Sequence, residues 1–401
     1  MQKKVPDKLN LLALRRQYKD PHPFYNALRA KDCLFFDETI QSWLVTGHKA
    51  ITLILDDPSF RSNPGSASNP SSVQISPIGK QMLFMDGEHH QSVQKVMLQP
   101  LAQMAKKMPF QIRSIAQQAI ETVYLKKEME VVSEFASPIS LFAIASILGM
   151  PMHNEDELRQ LEHWSDTFGD VTSGYFHDDL HDIKNLEEYF RHLITMKRRT
   201  LSNDLLSAFI QAKDIFPEED DLVANCMMVF AAGRITTKKL LGNGISLLMP
   251  RWEELRAEVQ VNPHLIKLLG EELLRMVTPT RYLIREAVRD VDLSSLFPGN
   301  HLIQSGQKVL LFLEAADYDP AYFPQPMFFD PHRRPNKHIA FGYGPHQCPG
   351  ATLARVEIQT ALEVLFSLSH VKPKPHAPQV WNPNPNLGGF TSNPVVFDVS
   401  Q

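Results

Sequence analysis

The sequence predicts a mainly α-helical fold with a minor β portion. Three observations carry that prediction: a long apolar helical pattern between Pro217 and Pro250, a second helical run from Ala351 through Leu365, and strand-like alternation confined to a few short pieces. In chain order, a helix is expected after Asp20-Pro21 through Leu28. Residues Leu34 to Val45 then alternate as short strands do, punctuated by Gly47. Helical patterns dominate from Ile51, broken by the Ser-, Asn-, Pro- and Gly-rich stretch from Ser62 to Gly79, which reads as a mobile loop. The longest helix opens with Glu218, Glu219, Asp220 and Asp221, where carboxylates meet the positive helix end, and stops at Pro250. Such a helix is roughly 45 Å long at 1.5 Å per residue. Its middle, Val223 to Ala232, is apolar nearly all round except for Asn225, so it is expected to cross the interior. Strand-like pieces return at Val309 to Leu313 and Val395 to Phe397.

Bulk properties narrow the function. The 41 basic and 45 acidic side chains leave a formal charge of -4, which gives no global attraction to nucleic acid or to an anionic membrane. Cys33, Cys226 and Cys348 are far apart and odd in number, unlike a disulfide framework or a zinc site. That usage fits a reducing cytoplasm, with Cys33 and Cys226 as packing residues. The N-terminus lacks the apolar run of a signal peptide, and no stretch of about 18 apolar residues is expected to cross a membrane. The 29 prolines are scattered, with no linker or repeat, so residues 1–401 read as one domain and a monomer.

The chemistry concentrates in Phe341-Gly-Tyr-Gly-Pro-His-Gln-Cys-Pro-Gly350, just ahead of the helix from Ala351. A cysteine there sits among backbone N–H groups at a positive helix end, which stabilises a thiolate. Gly342, Gly344 and Gly350 let the backbone turn and approach a flat ligand closely. A thiolate so placed can bind haem iron axially. In an isolated setting the cysteine would read as a buried structural residue. The combined pattern resembles the haem-binding loop of the cytochrome P450 family, with Phe341, Gly342, Gly344, His346, Cys348 and Gly350 in place.

That resemblance implies the family fold, with haem b buried between the long helix and the Cys348 loop, and dioxygen as co-substrate. It makes Cys348 the iron ligand, and Phe341, Gly350 and Ala232 neighbours of the haem. His90, Arg285 and His346 match the family's propionate contacts, while Gln94 stands where an arginine is usual, so one such contact is weakened or replaced. Glu272 and Arg275 look like the family's Glu-x-x-Arg signature, implying a buried structural pair tied to the segment near Asn336. Pro349 has no N–H and removes one potential donor to the sulfur.

In the long helix, Ala231-Ala-Gly-Arg-Ile-Thr-Thr237 is similar to the family's Ala-Gly-x-Glu/Asp-Thr-Thr. There a distortion centred on the glycine, here Gly233, admits water, and an acid and alcohol relay protons. Gly233, Thr236 and Thr237 match, but the acid position is Ile235, which cannot carry a proton. A helical threonine otherwise only bonds to the preceding turn. With the acid missing, the substrate or an ordered water is expected to complete the proton path. The implied substrate pocket is walled by Val229, Ala232, Thr280, Arg281, Phe390 and Thr391; Arg281 and Arg234 are candidates to meet a carboxylate or phosphate, with a solvent-facing or haem-propionate role equally open for each.

The activity implied is monooxygenation of a small organic substrate, a natural-product intermediate either free or tethered to a carrier protein. Electrons would come from a ferredoxin or flavodoxin and its reductase, docking near Lys95, Lys106, Lys107, Arg113 and Arg355. Ile235 and Gln94 also leave open a haem-thiolate enzyme of atypical chemistry (coupling, nitration, rearrangement or peroxide-driven oxidation) and a non-catalytic haem-binding accessory.

Overall fold

A computed structural model describes residues 19–62, 77–175 and 180–399. Most of the Ser62–Gly79 stretch, residues 63–76, lies outside the described residues. Thirteen α-helices are assigned among the described residues: α1 His22–Lys31, α2 His48–Asp56, α3 Gly87–Ala105, α4 Met108–Tyr124, α5 Ser137–Leu148, α6 Glu155–Thr172, α7 His181–Lys197, α8 Leu205–Gln211, α9 Glu219–Leu248, α10 Trp252–Val261, α11 Leu265–Val277, α12 Leu313–Asp317 and α13 Ala351–Leu365. The mainly helical class therefore stands.

The strands are short. β1 (Leu34–Asp37) and β2 (Ser42–Val45) form a hairpin, so the expected Leu34–Val45 run is split by a turn in which Gln41 has a φ of 49°. With β3 (Phe60–Arg61), β5 (Tyr282–Ala287) and β8 (Lys308–Phe312) they make a five-stranded sheet in the order β1-β2-β8-β5-β3. β4 (Glu128–Glu130), β9 (Leu368–Pro373) and β12 (Pro394–Val399) form a second sheet in the order β4-β12-β9. Two small pairs complete the set, β6 (Val291–Asp292) with β7 (Leu302–Ile303), and β10 (Val380–Trp381) with β11 (Phe390–Ser392).

The helix α9 organises the rest. Glu218 and Asp221 form a reciprocal capping box at its start, which satisfies two of the N–H groups a helix end leaves unpaired. Lys80 pairs with Glu218 and Asp221, and Asn225 accepts from Met82 N at 2.9 Å. The polar residue in the apolar stretch thus ties the 78–84 segment to α9. Its flanks pack on α5, α6, α7, α11 and α13.

One apolar window needs a structural account, and one expectation is corrected. The window Val131–Leu148 has a mean hydropathy of 1.8 and is long and apolar enough to cross a membrane by length and composition, but 67% of it is buried within the protein. Its serines and Glu134 are outweighed by Ile, Leu, Ala and Phe, and it is the interior helix beneath α9. The glycine-centred distortion implied at Gly233 is also missing, because Glu219–Leu248 is continuous α-helix. Gly233 instead permits close approach to α5: a Cβ there would lie 2.6 Å from Ile144 Cδ1.

Candidate active site

The Cys348 loop is held by its own backbone. Gly342 N donates to Ile339 O at 2.8 Å, and Cys348 N donates to Phe341 O at 2.9 Å. Gly342 and Gly344 have φ of 71° and 70°, in the left-handed region, and a Cβ on Gly344 would sit 2.8 Å from Leu55 O. Cys348 has an exposed side chain, yet burial pushes its thiol up, while the Gly350 N–H and the Arg355 charge act in the opposite direction. The exposed sulfur thus lies just before the start of α13, with enough atoms around it to desolvate the thiol. Arg355 also lies over the Phe341 ring at 4.7 Å and pairs with Glu271, fixing the base of the loop.

Gln94, on α3, donates to Pro345 O at 3.1 Å and to Gln347 O at 3.5 Å. It clamps the cysteine loop from outside. His90, also on α3, is buried with its ring centroid 3.9 Å from that of His346. Burial first, then His346, pushes His90 down to about 4, against Asp86. His346 Nε2 lies 3.1 Å from Asp86 Oδ1 and 3.3 Å from Ser62 Oγ, and Asp86 also accepts from Ser62 N. Arg285, on β5, is buried, held to about 10 by that burial against the pull of Asp86, and has no carboxylate within ion-pair distance among the described residues. Three nitrogen-bearing groups thus converge around the one carboxylate of Asp86, an arrangement that could receive the two carboxylates of a haem. With a cysteine at a helix N-terminus and a glycine-lined approach, the donor set fits haem b.

On α9, Ala232 is exposed although Ala231 and Arg234 beside it are buried, and Gly233 and Thr236 are half-buried. Thr236 Oγ1 donates to Ala232 O at 2.8 Å. Thr237 is buried and hydrogen-bonds Glu357 on α13, whose carboxyl burial pushes up to about 8. Ile235 is seated against α6, where a Cβ on Gly169 would fall 2.4 Å from its Cδ1. The acid position has become a packing position.

Arg234 does not reach a ligand. It is fully buried and donates to Ser165 Oγ at 2.9 Å, Glu162 O at 2.8 Å and Asp166 on α6, while Lys238 reaches Asp166 at 3.0 Å. The two cations, one helical turn apart, hold the Asp166 carboxyl down at about 2 against its burial. Arg281 is likewise withdrawn: it is buried, pairs with Glu314 Oε2 at 3.0 Å and lies over the Trp381 ring. Neither arginine is placed to meet a substrate anion, which corrects that expectation.

Of the other pocket candidates, Val229 is buried, Thr280 bridges to Leu387, and Phe390 packs edge-on against Trp381 at 4.7 Å. Thr391 is exposed and donates to Val380 O, so it braces β10 against β11. Glu272 and Arg275 are both fully buried and pair at 2.7 Å. Glu272 also accepts from Asp330 N, Arg333 Nε and Asn336 Nδ2, and Arg275 donates to Asp317 O and Pro326 O. Sequence reasoning missed Asp86, Glu357, Asp166 and Lys239. Only Asp86 had a usable signal, as an acid four residues before His90.

A family model described as Cytochrome P450 matches residues 264–399. The Bacillus subtilis (strain 168) protein named Biotin biosynthesis cytochrome P450 is 31% identical over 366 residues, covering 87% of this chain and 89% of that one. The Mycinamicin IV hydroxylase/epoxidase of Micromonospora griseorubida is 30% identical over 333 residues, 81% of each chain. Among solved structures, P450BioI in complex with a hexadec-9Z-enoic acid ligated acyl carrier protein superposes with a TM-score of 0.85 at 28% identity, covering 96% of this chain and all of that one.

Proposed function

The chain belongs to the cytochrome P450 family of haem-b, dioxygen-using monooxygenases, and from that premise we propose that it hydroxylates or epoxidises a small organic intermediate of secondary metabolism. The observation that carries this reading is the joint placement of an exposed Cys348 just before α13, the cluster of His90, Arg285 and His346, and the open Ala232–Thr236 face of α9. Cys348 would hold the iron of haem b, which when bound would supply the redox chemistry that activates dioxygen.

The chain's own residues do the rest. The Gly350 N–H and the helix end hold negative charge on the Cys348 sulfur. Arg285 and His346 would hold the haem carboxylates, and His90 would become a donor on gaining such an anionic partner. Thr236 Oγ1, now donating to Ala232 O, can turn to hold a water at the open helix face. The 280–282 and 386–390 segments, joined by Arg281 N to Asn386 O at 3.0 Å and by the Thr280–Leu387 bridge, form the wall opposite α9 and orient the substrate.

A small acidic redox protein, a ferredoxin or flavodoxin with its reductase, docks on the cysteine side. Lys95, Lys106 and Lys107 are exposed there, whereas Arg113 and Arg355 are engaged with Glu363 and Glu271. The protein works as a monomer in the cytoplasm. Ile235 favours one second reading, peroxide-driven or otherwise atypical haem-thiolate chemistry, because α9 offers no carboxylate at that position.

The test is a spin-state titration of the purified ferric protein against free fatty acids, macrolide-type precursors and acyl chains loaded on a carrier protein. A shift to high spin with one class, followed by oxygenated product with a surrogate ferredoxin system, supports the reading. Product with peroxide alone would transfer it to the second, and the absence of any shift would remove the assigned substrate class.

A further inference from the structure

Position 235 leaves the enzyme without the carboxylate that would serve proton delivery, and the structure places another titratable group on the same face of α9. Taking about 100° per residue, Lys239 lies about 20° round the helix from Ala232, about 40° from Ile235 and about 60° from Thr236. Arg234 and Lys238 project from the other side, toward Asp166.

Lys239 is buried, and its Nζ donates to Leu387 O. Its stem runs beneath Gly389, where a Cβ would come 3.0 Å from Lys239 Cγ, and Asn243, one turn on, accepts from Phe390 N at 2.9 Å. The amine therefore sits in the slot between α9 and the 387–390 segment that walls the site. Ile235 Cδ1 and Leu387 Cδ1 both approach Gly169, so the acid position and the lysine anchor open onto the same slot, one helical turn apart.

We infer that Lys239 is the relay residue of this enzyme, delivering protons through water to Thr236 Oγ1 in place of the carboxylate missing at 235. A buried primary amine is costly to keep charged, and burial brings Lys239 down to about 7, opposed by Asp170 and Asp166 on α6 and aided by Lys238 and Arg281. These are the charged groups facing it from α6, from its own helix and from the strand wall. Each proton leaves Nζ for a water beside Thr236 and is regained from solvent. Its return path would run by the half-buried Asp170 and Ser173, which Nδ2 of the buried Asn384 joins at 2.7 and 2.9 Å. The lysine cycles between ammonium and amine, and no electrons move at it.

This inference rests on the monooxygenase reading, and two measurements on the haem-loaded protein separate them. The first compares unfolding of wild type and Lys239→Met as a function of pH, independent of turnover. A lysine lowered on folding makes the wild type gain stability relative to the variant as pH rises above about 7 toward the unfolded value of 10.5, with no difference in slope below about 7. Parallel curves throughout would overturn the inference. The second measures peroxide released per electron pair consumed. Lys239→Met should divert flux to peroxide about tenfold or more, flatten the pH dependence of coupling, and be rescued by adding Ile235→Glu. A merely structural lysine would give no such rescue, and unchanged coupling in Lys239→Met would sink the relay. If the wild type consumes no dioxygen with any reductant, the monooxygenase reading fails, and the stability curves still decide whether the amine titrates.

Discussion

Replacing Glu272 by alanine removes the acceptor of five hydrogen bonds: two from Arg275, and one each from Arg333 Nε, Asn336 Nδ2 and Asp330 N. Glu272 and Arg275 have 0% side-chain exposure and Arg333 has 7%, so neither guanidinium can turn to water for compensation. Removing one member of a buried ion pair costs about 3–5 kcal/mol, because the partner charge stays behind. A folded protein has only about 5–15 kcal/mol to lose. The loss would fall where α11 is tied to 317–336, the segment leading into the cysteine loop, so Glu272→Ala should lose haem and unfold at much lower denaturant. The assay is urea unfolding of the holo-protein followed by haem absorbance and by far-ultraviolet circular dichroism. Combining Glu272→Ala with Arg275→Leu should recover part of the loss, since removing both charges leaves less uncompensated. A single-variant cost under about 1 kcal/mol, or a double variant that is simply the sum, would refute the argument.

Gly169→Ala should destabilise the α6–α9 contact because its Cβ meets Ile235 Cδ1 at 2.4 Å, and Ile235→Ala in the same protein should restore the melting temperature. Arg285→Ala should weaken haem retention more than His90→Ala at pH 7, because Arg285 stays charged while His90, brought down to about 4, is neutral until it gains an anion; competition for haem by apomyoglobin measures both. Asp166, held at about 2 rather than 3.8, contributes stability above pH 4 that is lost as pH falls through 2. Discounted for a half-exposed side chain, this amounts to about 1 kcal/mol, and acid unfolding of Asp166→Asn beside wild type reads it.

Local patterns carried much of the fold. The apolar middle of α9 with its acidic first turn, the bounds of α13 and the Gly-rich Cys348 loop each follow from neighbours in sequence, because caps, periodicity and turn glycines act over a few residues. Partners separated by long stretches of chain did not show. Nothing near Arg234 announces that Asp166, on another helix, would bury it, and nothing near Gln94 announces the carbonyls of Pro345 and Gln347. Arg281 reads as a free cation until Glu314 is brought beside it by the β5–β8 pairing. The Val131–Leu148 window went unremarked because scattered serines hide a high mean hydropathy. Ile235 is the instructive case: its chemistry was legible as a missing acid, but its seat against Gly169 and the lysine one turn away needed the packed helices.

The central claim, that Cys348 presents a thiolate to haem iron, is tested most directly by the carbon monoxide difference spectrum of the reduced protein. The account predicts the red-shifted Soret band of thiolate ligation in the wild type and its loss in Cys348→Ser. A wild-type spectrum without that shift, or a Cys348→Ser protein that retains it, would contradict the account.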